Sequence, residues 1–443
     1  MNAPALSRPL DAGEKFFWLL DHVSCMNFVV FAELDGQLQP AALQAALARV
    51  QQRHPLLNCT IHTDANGQLA FCPAAAAEIS LHVEAVTAET WQQPLQAQLA
   101  QPFASEEHPL LRALYLPRSD ADACIVALCY HHSIADGRSG TALLREILSD
   151  VLTGQATQST AHAEPAPMHA LFPEAFDWPR HPEKMMGIYG EMKNDIKRHG
   201  KPADLPWLEQ QQTAREPRFI RIELDQQQAA TLQQRCREQQ TTVHGALGAA
   251  QLLAKRQALT IDGATAMTLS HPVDMRPYLS EAVPEDGLGL YITMLSANYP
   301  VAADGDFWAL ARDVVGDIRR QLQRGDGHLL FTLLRTQAVP PTTEGLQAFG
   351  SSMLASPKGS MISNIGRVSP LPQAPQVRSI SFALCPMSYQ ALFTAASSYN
   401  GRLLLNINYD AAKLAPAMAE QLANKIHELL PTIAGVVPGM YES

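Results

Sequence analysis

The sequence predicts an α/β protein made of two halves of similar length joined by a linker. Strand-like and helix-like segments alternate over residues 1–152, and the alternation resumes at residue 218 and continues towards residue 443. Residues 153–217 are rich in proline and polar side chains, which is typical of a connecting segment, with one helix predicted over 183–199. We therefore expect an N-terminal domain at 1–152, a linker at 153–217 and a C-terminal domain at 218–443.

The first half contains segments with the periods of helices and strands. Apolar residues at helical spacing after Pro40 predict a helix over Pro40–Arg53. A second helix is predicted over Ala88–Ala100, although Pro94 lies inside it. An Asn-Gly pair at 66–67 predicts a hairpin turn between the second and third strands. The predicted strands are Phe28–Leu34, Asn58–His62, Gln68–Cys72, Leu111–Pro117 and Cys124–Tyr130.

The second half shows the same mixture of periods. Asp225 is a natural N-cap for a helix over Asp225–Gln239, and small residues favour a helix over Val243–Arg256. A last helix is predicted over Pro416–Leu430. The predicted strands are Arg218–Leu224, Ala266–His271, Leu290–Tyr299, Met361–Ile365, Ile380–Leu384 and Leu403–Tyr409.

Composition and charge exclude several classes of function. Lys and Arg number 33 against 43 Asp and Glu, and the net charge of −10 disfavours nucleic acid and anionic membranes as partners. No apolar run approaches the ~18 residues of a membrane span, and the N-terminus has no secretory pattern. The seven cysteines are scattered without a CxxC motif, which favours a reducing compartment. We expect a cytoplasmic monomer.

The sharpest local pattern is the polar run from His131 to Gly137, which follows the predicted strand Cys124–Tyr130 directly. A helix follows it, with Ser139 as a natural N-cap and Gly154 at its C-terminal end. A histidine at the end of a buried strand can accept a proton, and its ordinary pKa predicts activity that is lost on acidification around pH 6 to 7. From the residues alone, Asp136 either orients the histidine or pairs with an arginine.

The run His131–Gly137 has two other interpretations, a structural histidine and a metal site. A single histidine near a strand end is more often structural than catalytic. Two adjacent histidines followed by Asp-Gly at this distance are rarer than a lone histidine, which favours a functional role. Adjacent histidines on a strand point to opposite faces, so His131 and His132 chelate one ion poorly. Because no metal-ligand spacing is present elsewhere, we expect no metal.

The run His131–Gly137 matches the HHxxxDG signature of the acyltransferase superfamily that depends on coenzyme A or carrier proteins. This superfamily includes chloramphenicol acetyltransferase, condensation domains of nonribosomal peptide synthetases, plant BAHD enzymes and polyketide-associated acyltransferases. The chain most resembles the freestanding polyketide-associated alcohol acyltransferases, and the DFGWG signature of the BAHD enzymes is absent. Further segments resemble the superfamily in its own order, namely Leu10–Leu20, Arg53–Leu57, Thr242–Leu247, Pro272–Leu279 and Ser363–Val368.

The resemblance implies a fold of two chloramphenicol acetyltransferase-like α/β sandwich domains that form a V, with a substrate tunnel at their interface and a crossover segment near 350–370. It implies that His132 is the general base, with Nε2 facing the tunnel, and that His131 and Gly137 are structural. It also implies that Asp136 points away from the substrate and pairs with Arg276. Weaker candidates for substrate contacts are Ser139, Asn364 and Arg367. Phe16, Phe17 and Trp18 are expected in the core.

By the same resemblance, the chain transfers an acyl group from acyl-CoA or a phosphopantetheinyl carrier protein to a small-molecule alcohol and forms an ester. Transfer to an amine, as in a condensation domain, stays open as an alternative. A second alternative is a non-catalytic relative that docks acyl or peptidyl carrier proteins. No permanently bound cofactor is expected.

Overall fold

The computed structural model describes residues 7–24, 26–64, 67–74, 78–106, 109–154, 160–208, 215–336, 339–356 and 359–433. Asn66, in the predicted hairpin turn, lies outside these ranges. The strands are β1 Arg8–Pro9, β2 Asn27–Asp35, β3 Cys59–Thr63, β4 Leu69–Pro73, β5 Leu81–Val83, β6 Leu111–Pro117, β7 Ala123–His131, β8 Pro217–Leu224, β9 Thr265–Asp274, β10 Ile292–Val301, β11 Gly359–Arg367, β12 Val377–Leu384, β13 Gln390–Tyr399 and β14 Arg402–Asp410.

The α-helices are α1 Ala12–Ser24, α2 Pro40–Arg53, α3 Gln92–Ala100, α4 Gly137–Thr153, α5 Pro182–Lys197, α6 Gln226–Glu238, α7 Val243–Gln257, α8 Phe307–Arg324, α9 Asp326–Thr336, α10 Thr343–Leu354 and α11 Pro416–Ile433. The protein is therefore of the mixed α/β class that the alternating pattern predicts.

The first sheet has five strands in the order β12-β2-β7-β6-β5. Every residue of β7 is buried, because both faces of this sheet are covered. Alternate residues of β2 divide between the two faces: Val30 packs into the core with α2 and α4, while Val29 and Phe31 pack into a smaller core with α3. The buried strand β7 ends at His131, and this position carries the polar run to the edge of the sheet.

The second sheet has six strands in the order β10-β9-β11-β13-β14-β8. Helices α6, α7, α8 and α11 contribute to its core. The strand that crosses from this half into the first sheet is β12 at Val377–Leu384, which pairs antiparallel with β2. It lies after the segment 350–370, where we expected the crossover; β11 in that segment stays in the second sheet, between β9 and β13.

The described part of the predicted linker 153–217 packs against the rest of the protein. It contains α5, which matches the helix predicted over 183–199 to within two residues, and the fully buried Trp178. A buried ion pair fixes its end: Lys255 Nζ on α7 lies 2.6 Å from Asp204 Oδ1. Charges this deeply buried are tolerated because each has the other as its partner.

Three differences from the sequence prediction have local physical causes. Asp136 caps α4 and Ser139 is the third residue inside the helix, so the predicted N-cap is displaced by one turn. Helix α3 begins at Gln92, which places Pro94 in the first turn, where its missing N–H costs nothing. Strands β1, β5 and β13 and helices α1, α8, α9 and α10 were not predicted from the sequence.

Candidate active site

His132 follows the last residue of β7 and lies on the wall of a cavity between the two sheets. Its ring is half-buried, and Nδ1 is buried without a hydrogen-bond partner among the described residues. Burial lowers the pKa of His132 to about 4, against the opposing influence of backbone carbonyls and of Asp136. The imidazole is therefore neutral at pH 7, and the expected titration between pH 6 and 7 is too high for this environment.

His131 points away from this cavity and is fully buried. Its Nδ1 accepts a hydrogen bond from the backbone N–H of Ser133 at 3.2 Å, so the proton lies on Nε2, 3.7 Å from Asp21 Oδ2. Burial lowers the pKa of His131 to about 3 and raises that of Asp21 to about 6. The Ser133 hydroxyl donates to the carbonyl of Glu14 at 2.8 Å. These contacts attach the motif to α1.

Asp136 is fully buried and acts as the N-cap of α4. Its Oδ1 accepts from the backbone N–H groups of Arg138 at 3.0 Å and Ser139 at 2.9 Å. The Ser139 hydroxyl accepts from the Asp136 N–H at 3.0 Å, which completes a capping box. The carboxylate is thus oriented by the helix start, with no hydrogen bond to His132 among the contacts of the described chain.

The same carboxylate also joins the two halves of the protein. Asp136 Oδ2 accepts from the backbone N–H of Tyr291 at 2.9 Å and lies 3.0 Å from Arg276 Nη2. Arg276 also contacts Asp274 at 2.9 Å and stacks its guanidinium 4.7 Å from the centre of the Tyr291 ring. Because these partners come from the end of β9, the turn after it and the residue before β10, Asp136 fixes the motif against the second half.

Gly137 is required by a close approach rather than by its backbone angles. A Cβ atom at this position would lie 2.9 Å from Cγ2 of Ile365 on β11, which is closer than ordinary packing allows. This contact gives a physical reason for a structural role of Gly137. The absence of a side chain lets the start of α4 pack closely against β11, which lines the cavity.

The cavity has a volume of about 90 Å³, and its wall is mainly apolar. Its polar groups other than His132 are largely engaged: Arg138 pairs with Asp274 at 2.8 Å, and the Thr293 hydroxyl donates to the carbonyl of Gly327 at 2.9 Å. The apolar wall comes from both halves and consists of Phe16, Phe17, Met26, Phe28, Ile292, Met294, Leu330, Phe331, Leu334, Met361, Ile365, Phe382, Leu384, Met387 and Phe393.

The three weaker sequence candidates differ in where they lie. Asn364 lines the cavity, and its Oδ1 accepts from the backbone N–H of Gly366 at 2.9 Å. Ser139 is buried, and its hydroxyl is used in the capping box and in a bond to the carbonyl of Gly289 at 2.8 Å. Arg367 is exposed at the end of β11 and is not part of the cavity wall.

Phe17 and Trp18 are buried in the core, as the sequence predicts, and Phe16 packs against it. Sequence reasoning missed that Phe16 and Phe17 also line the cavity. The Phe17 ring is stacked on His132 with centroids 4.0 Å apart and an interplanar angle of 14°. Phe28 contacts the same imidazole at 4.7 Å. A signal was present: Glu14, Phe17 and Asp21 are spaced three and four residues apart, which puts them on one face of a helix.

Within the described ranges no group of three or more His, Cys, Asp or Glu side chains is arranged to hold a metal ion. Nor is any helix in that part of the chain long and apolar enough to cross a membrane.

Two family models match the chain in succession. Residues 16–166 match the condensation domain, and residues 213–408 match the C-terminus of phthiocerol/phthiodiolone dimycocerosyl transferase. Among curated proteins, chondramide synthase cmdD of Chondromyces crocatus is 28% identical over 212 residues, which are 45% of this chain and 5% of that protein. Cyclosporin synthetase simA of Tolypocladium inflatum is 26% identical over 306 residues, 67% of this chain and 2% of that protein. The chain thus spans only a small part of these synthetases.

Solved structures match over almost the whole chain. Polyketide synthase associated protein 5 from Mycobacterium tuberculosis has a TM-score of 0.67 at 18% identity, covering 99% of this chain and 100% of that one. Trichothecene 15-O-acetyltransferase from Fusarium sporotrichioides has a TM-score of 0.73 at 12% identity, covering 96% and 95%. At these identities the likeness establishes the fold, two chloramphenicol acetyltransferase-like halves.

The fold and the two consecutive family matches are like those of condensation and acyl-transfer proteins. The chain is thus similar to the condensation-domain and chloramphenicol acetyltransferase-like superfamily, and it carries the HHxxxDG motif at His131–Gly137.

Proposed function

We propose that this protein transfers an acyl group from a thioester to an alcohol in natural-product or lipid biosynthesis, with His132 as the general base. The observation that carries the proposal is the position of His132, a neutral imidazole on the wall of an apolar cavity between the two halves. A neutral imidazole can accept a proton, and an apolar cavity suits an acyl chain. The Asp136 cap and the Arg276 pair support the loop that holds it.

The proposed reaction needs one base and no covalent enzyme intermediate. Because Nδ1 is buried, we assign the proton transfer to Nε2. Nε2 takes the hydroxyl proton while the alcohol oxygen forms a bond to the thioester carbonyl carbon. The tetrahedral intermediate then breaks its C–S bond, and the imidazolium returns the proton to the departing thiolate. Holding both substrates in one cavity removes most of the entropic cost of their encounter.

The thioester is carried by coenzyme A or by the phosphopantetheine arm of an acyl or peptidyl carrier protein. Matches to synthetases that use condensation domains support a carrier-bound donor, and the acetyltransferase match supports coenzyme A. The described cysteines are free thiols, which suits a reducing cytoplasm. We also propose that the two halves, with the linker 153–217 between them, work as a single monomer.

The test is direct. The purified protein is incubated with acyl-CoA thioesters of increasing chain length and with octanol or octylamine, and both thiol release and product mass are measured. We expect the octyl ester, and we expect His132→Ala to lower turnover about a hundredfold or more. His82→Ala changes an exposed histidine and serves as the matched control.

The alternatives give different outcomes in the same assay. Octylamide as the main product would assign amide-forming condensation instead of ester formation. Thiol release from no donor, together with retained binding of carrier proteins, would assign a docking role. A His132→Ala variant that keeps its activity would rule out His132 as the general base.

A further inference from the structure

The imidazole of His132 lies between two phenyl rings. Phe17 on α1 stacks on it almost in parallel, with ring centroids 4.0 Å apart, and Phe28 at the start of β2 contacts it at 4.7 Å with an angle of 48°. Both phenyl rings line the cavity, so they stand where the reaction is proposed to occur. The arrangement presents the π face of Phe17 to the face of the base.

Helix α1 is attached to the motif in a way that holds Phe17 in place. The carbonyl of Glu14 accepts a hydrogen bond from the Ser133 hydroxyl, and Asp21 lies beside His131 Nε2. Glu14, Phe17 and Asp21 share one face of the helix, so one side of α1 contacts three consecutive residues of the motif. Phe17, the stacking partner of His132, is therefore held in place by the contacts of Glu14 before it and Asp21 after it on α1.

A phenyl ring distinguishes the two protonation states of a stacked imidazole. The face of the ring carries partial negative charge, so it attracts an imidazolium much more than a neutral imidazole. In the proposed reaction the imidazolium exists only after the acceptor has given up its proton. An interaction that appears only at that stage raises turnover without tightening substrate binding.

Most of the charges around the ring are held by partners of their own, and Glu14 is held by Arg8 at 2.7 Å. The titratable and charged groups on the elements that pack around His132 are His131, Asp136, Arg138, Glu14, Asp21, Asp274 and Arg276. Among them, Asp136 is held by Arg276, and Arg138 by Asp274. Asp136 favours the imidazolium, but its oxygens are shared among backbone donors and Arg276. The Phe17 face is in direct contact with the ring.

We propose that Phe17 is a positioning residue that stabilises the imidazolium form of His132 during acyl transfer. This inference rests on the proposed function, because it requires His132 to take up the acceptor's proton. The size of cation–π interactions at partly desolvated sites corresponds to a rate effect of about 3- to 30-fold.

The experiment replaces Phe17 with mono-, di- and trifluorophenylalanine, which withdraw charge from the ring face while nearly preserving its shape. We expect turnover to fall stepwise with each fluorine, KM to change less than about twofold, and the acidic midpoint of the pH–rate profile to move to lower pH. The same series at Phe16 is the matched control, because Phe16 lines the cavity but packs on Phe17 and Phe349. We expect a smaller fall in turnover from the Phe16 series than from the Phe17 series, because the Phe16 ring lines the same cavity but is not stacked on His132.

A turnover and a pH midpoint that do not respond to fluorination at position 17 would overturn the inference, even if Phe17→Leu lowers stability. An equal decline in the Phe16 series would overturn it as well, since the effect would then follow cavity polarity. Failure of the proposed function is distinct: the unmodified protein would then release no thiol from any donor.

Discussion

The pair of Asp136 and Arg276 gives the most demanding test of how the two halves are held together. Asp136→Ala removes a fully buried carboxylate that accepts from three backbone N–H groups and pairs with Arg276. Breaking this buried pair costs about 3–5 kcal/mol even though Arg276 keeps Asp274 as a partner, because three backbone donors also lose their acceptor, and the lost helix cap adds ~1 kcal/mol. We therefore expect Asp136→Ala to lower the unfolding free energy by about 4–6 kcal/mol and to lower activity with it.

Arg276→Ala should cost less than Asp136→Ala. The Arg276 side chain is 15% exposed, so water reaches the site, and the carboxylate of Asp136 keeps its three backbone donors. Loss of one charged hydrogen bond predicts about 1.5–3 kcal/mol. The double variant should be less destabilised than the sum of the single variants by about 0.5–3 kcal/mol, because each single change removes the same ion pair.

The assay is urea denaturation of the four proteins at pH 7, with the turnover of each measured in parallel. Arg49→Ala removes a more exposed cation from its pair with Asp150 on α4 and serves as the control, with an expected loss under about 1 kcal/mol. A coupling energy near zero would refute the reasoning. So would an Asp136→Asn variant that keeps full stability and loses activity, since that result is what an Asp136 that orients His132 predicts.

Three further predictions follow from the site. Gly137→Ala should lower turnover about tenfold or more because its Cβ meets Ile365, and the added Ile365→Val change should restore part of it in the same thiol assay. Phe331→Ala should extend the cavity towards α9, so the preferred acyl chain in a donor panel should lengthen; an unchanged preference would place the chain elsewhere. Acidification from about pH 6.5 to 4 should lower the unfolding free energy, because four histidines whose pKa burial lowers bind protons in the unfolded state but not in the folded state. Each histidine contributes up to about 1.4 kcal/mol per pH unit, and two acids whose pKa values burial raises act in the opposite direction. The four histidines are His131, His132, His244 and His271, and the two acids are Glu14 and Asp21. Urea midpoints measured at several pH values test this prediction, and a stability that stays constant or rises on acidification would contradict it.

The sequence predicted those parts of the fold that depend on local pattern. Helix α2 and strand β6 were predicted at their observed bounds. For the helix the reason is local, because Pro40 starts it and apolar residues continue through it at helical spacing. Strand β13 was missed because it is buried on both faces and its small residues, such as Ala395 and Ser397, show no period of two. Which sheet a strand joins is a long-range property, and the local pattern of β12 does not report its pairing with β2.

The candidate site divides in the same way. The motif identified His132 and Asp136, since both lie within one short run of sequence. The environment of His132 could not be predicted, because the burial that lowers its pKa and the ring of Phe17 come from elements distant in the chain. For Gly137, the decisive neighbour lies on β11, more than two hundred residues away, and no local pattern reports it.

The crossing strand β12 has a consequence for how the protein is made. During synthesis the partners of β2 on one side are absent until Leu384 leaves the ribosome, roughly 230 residues after α4 ends. At 5–20 residues per second the nascent N-terminal half waits roughly 10–50 s with one edge of its sheet unpaired. That edge is a site for chaperone binding or for pairing with a neighbouring nascent chain, so separate expression of the first half should yield aggregates, which co-expression with the second half relieves.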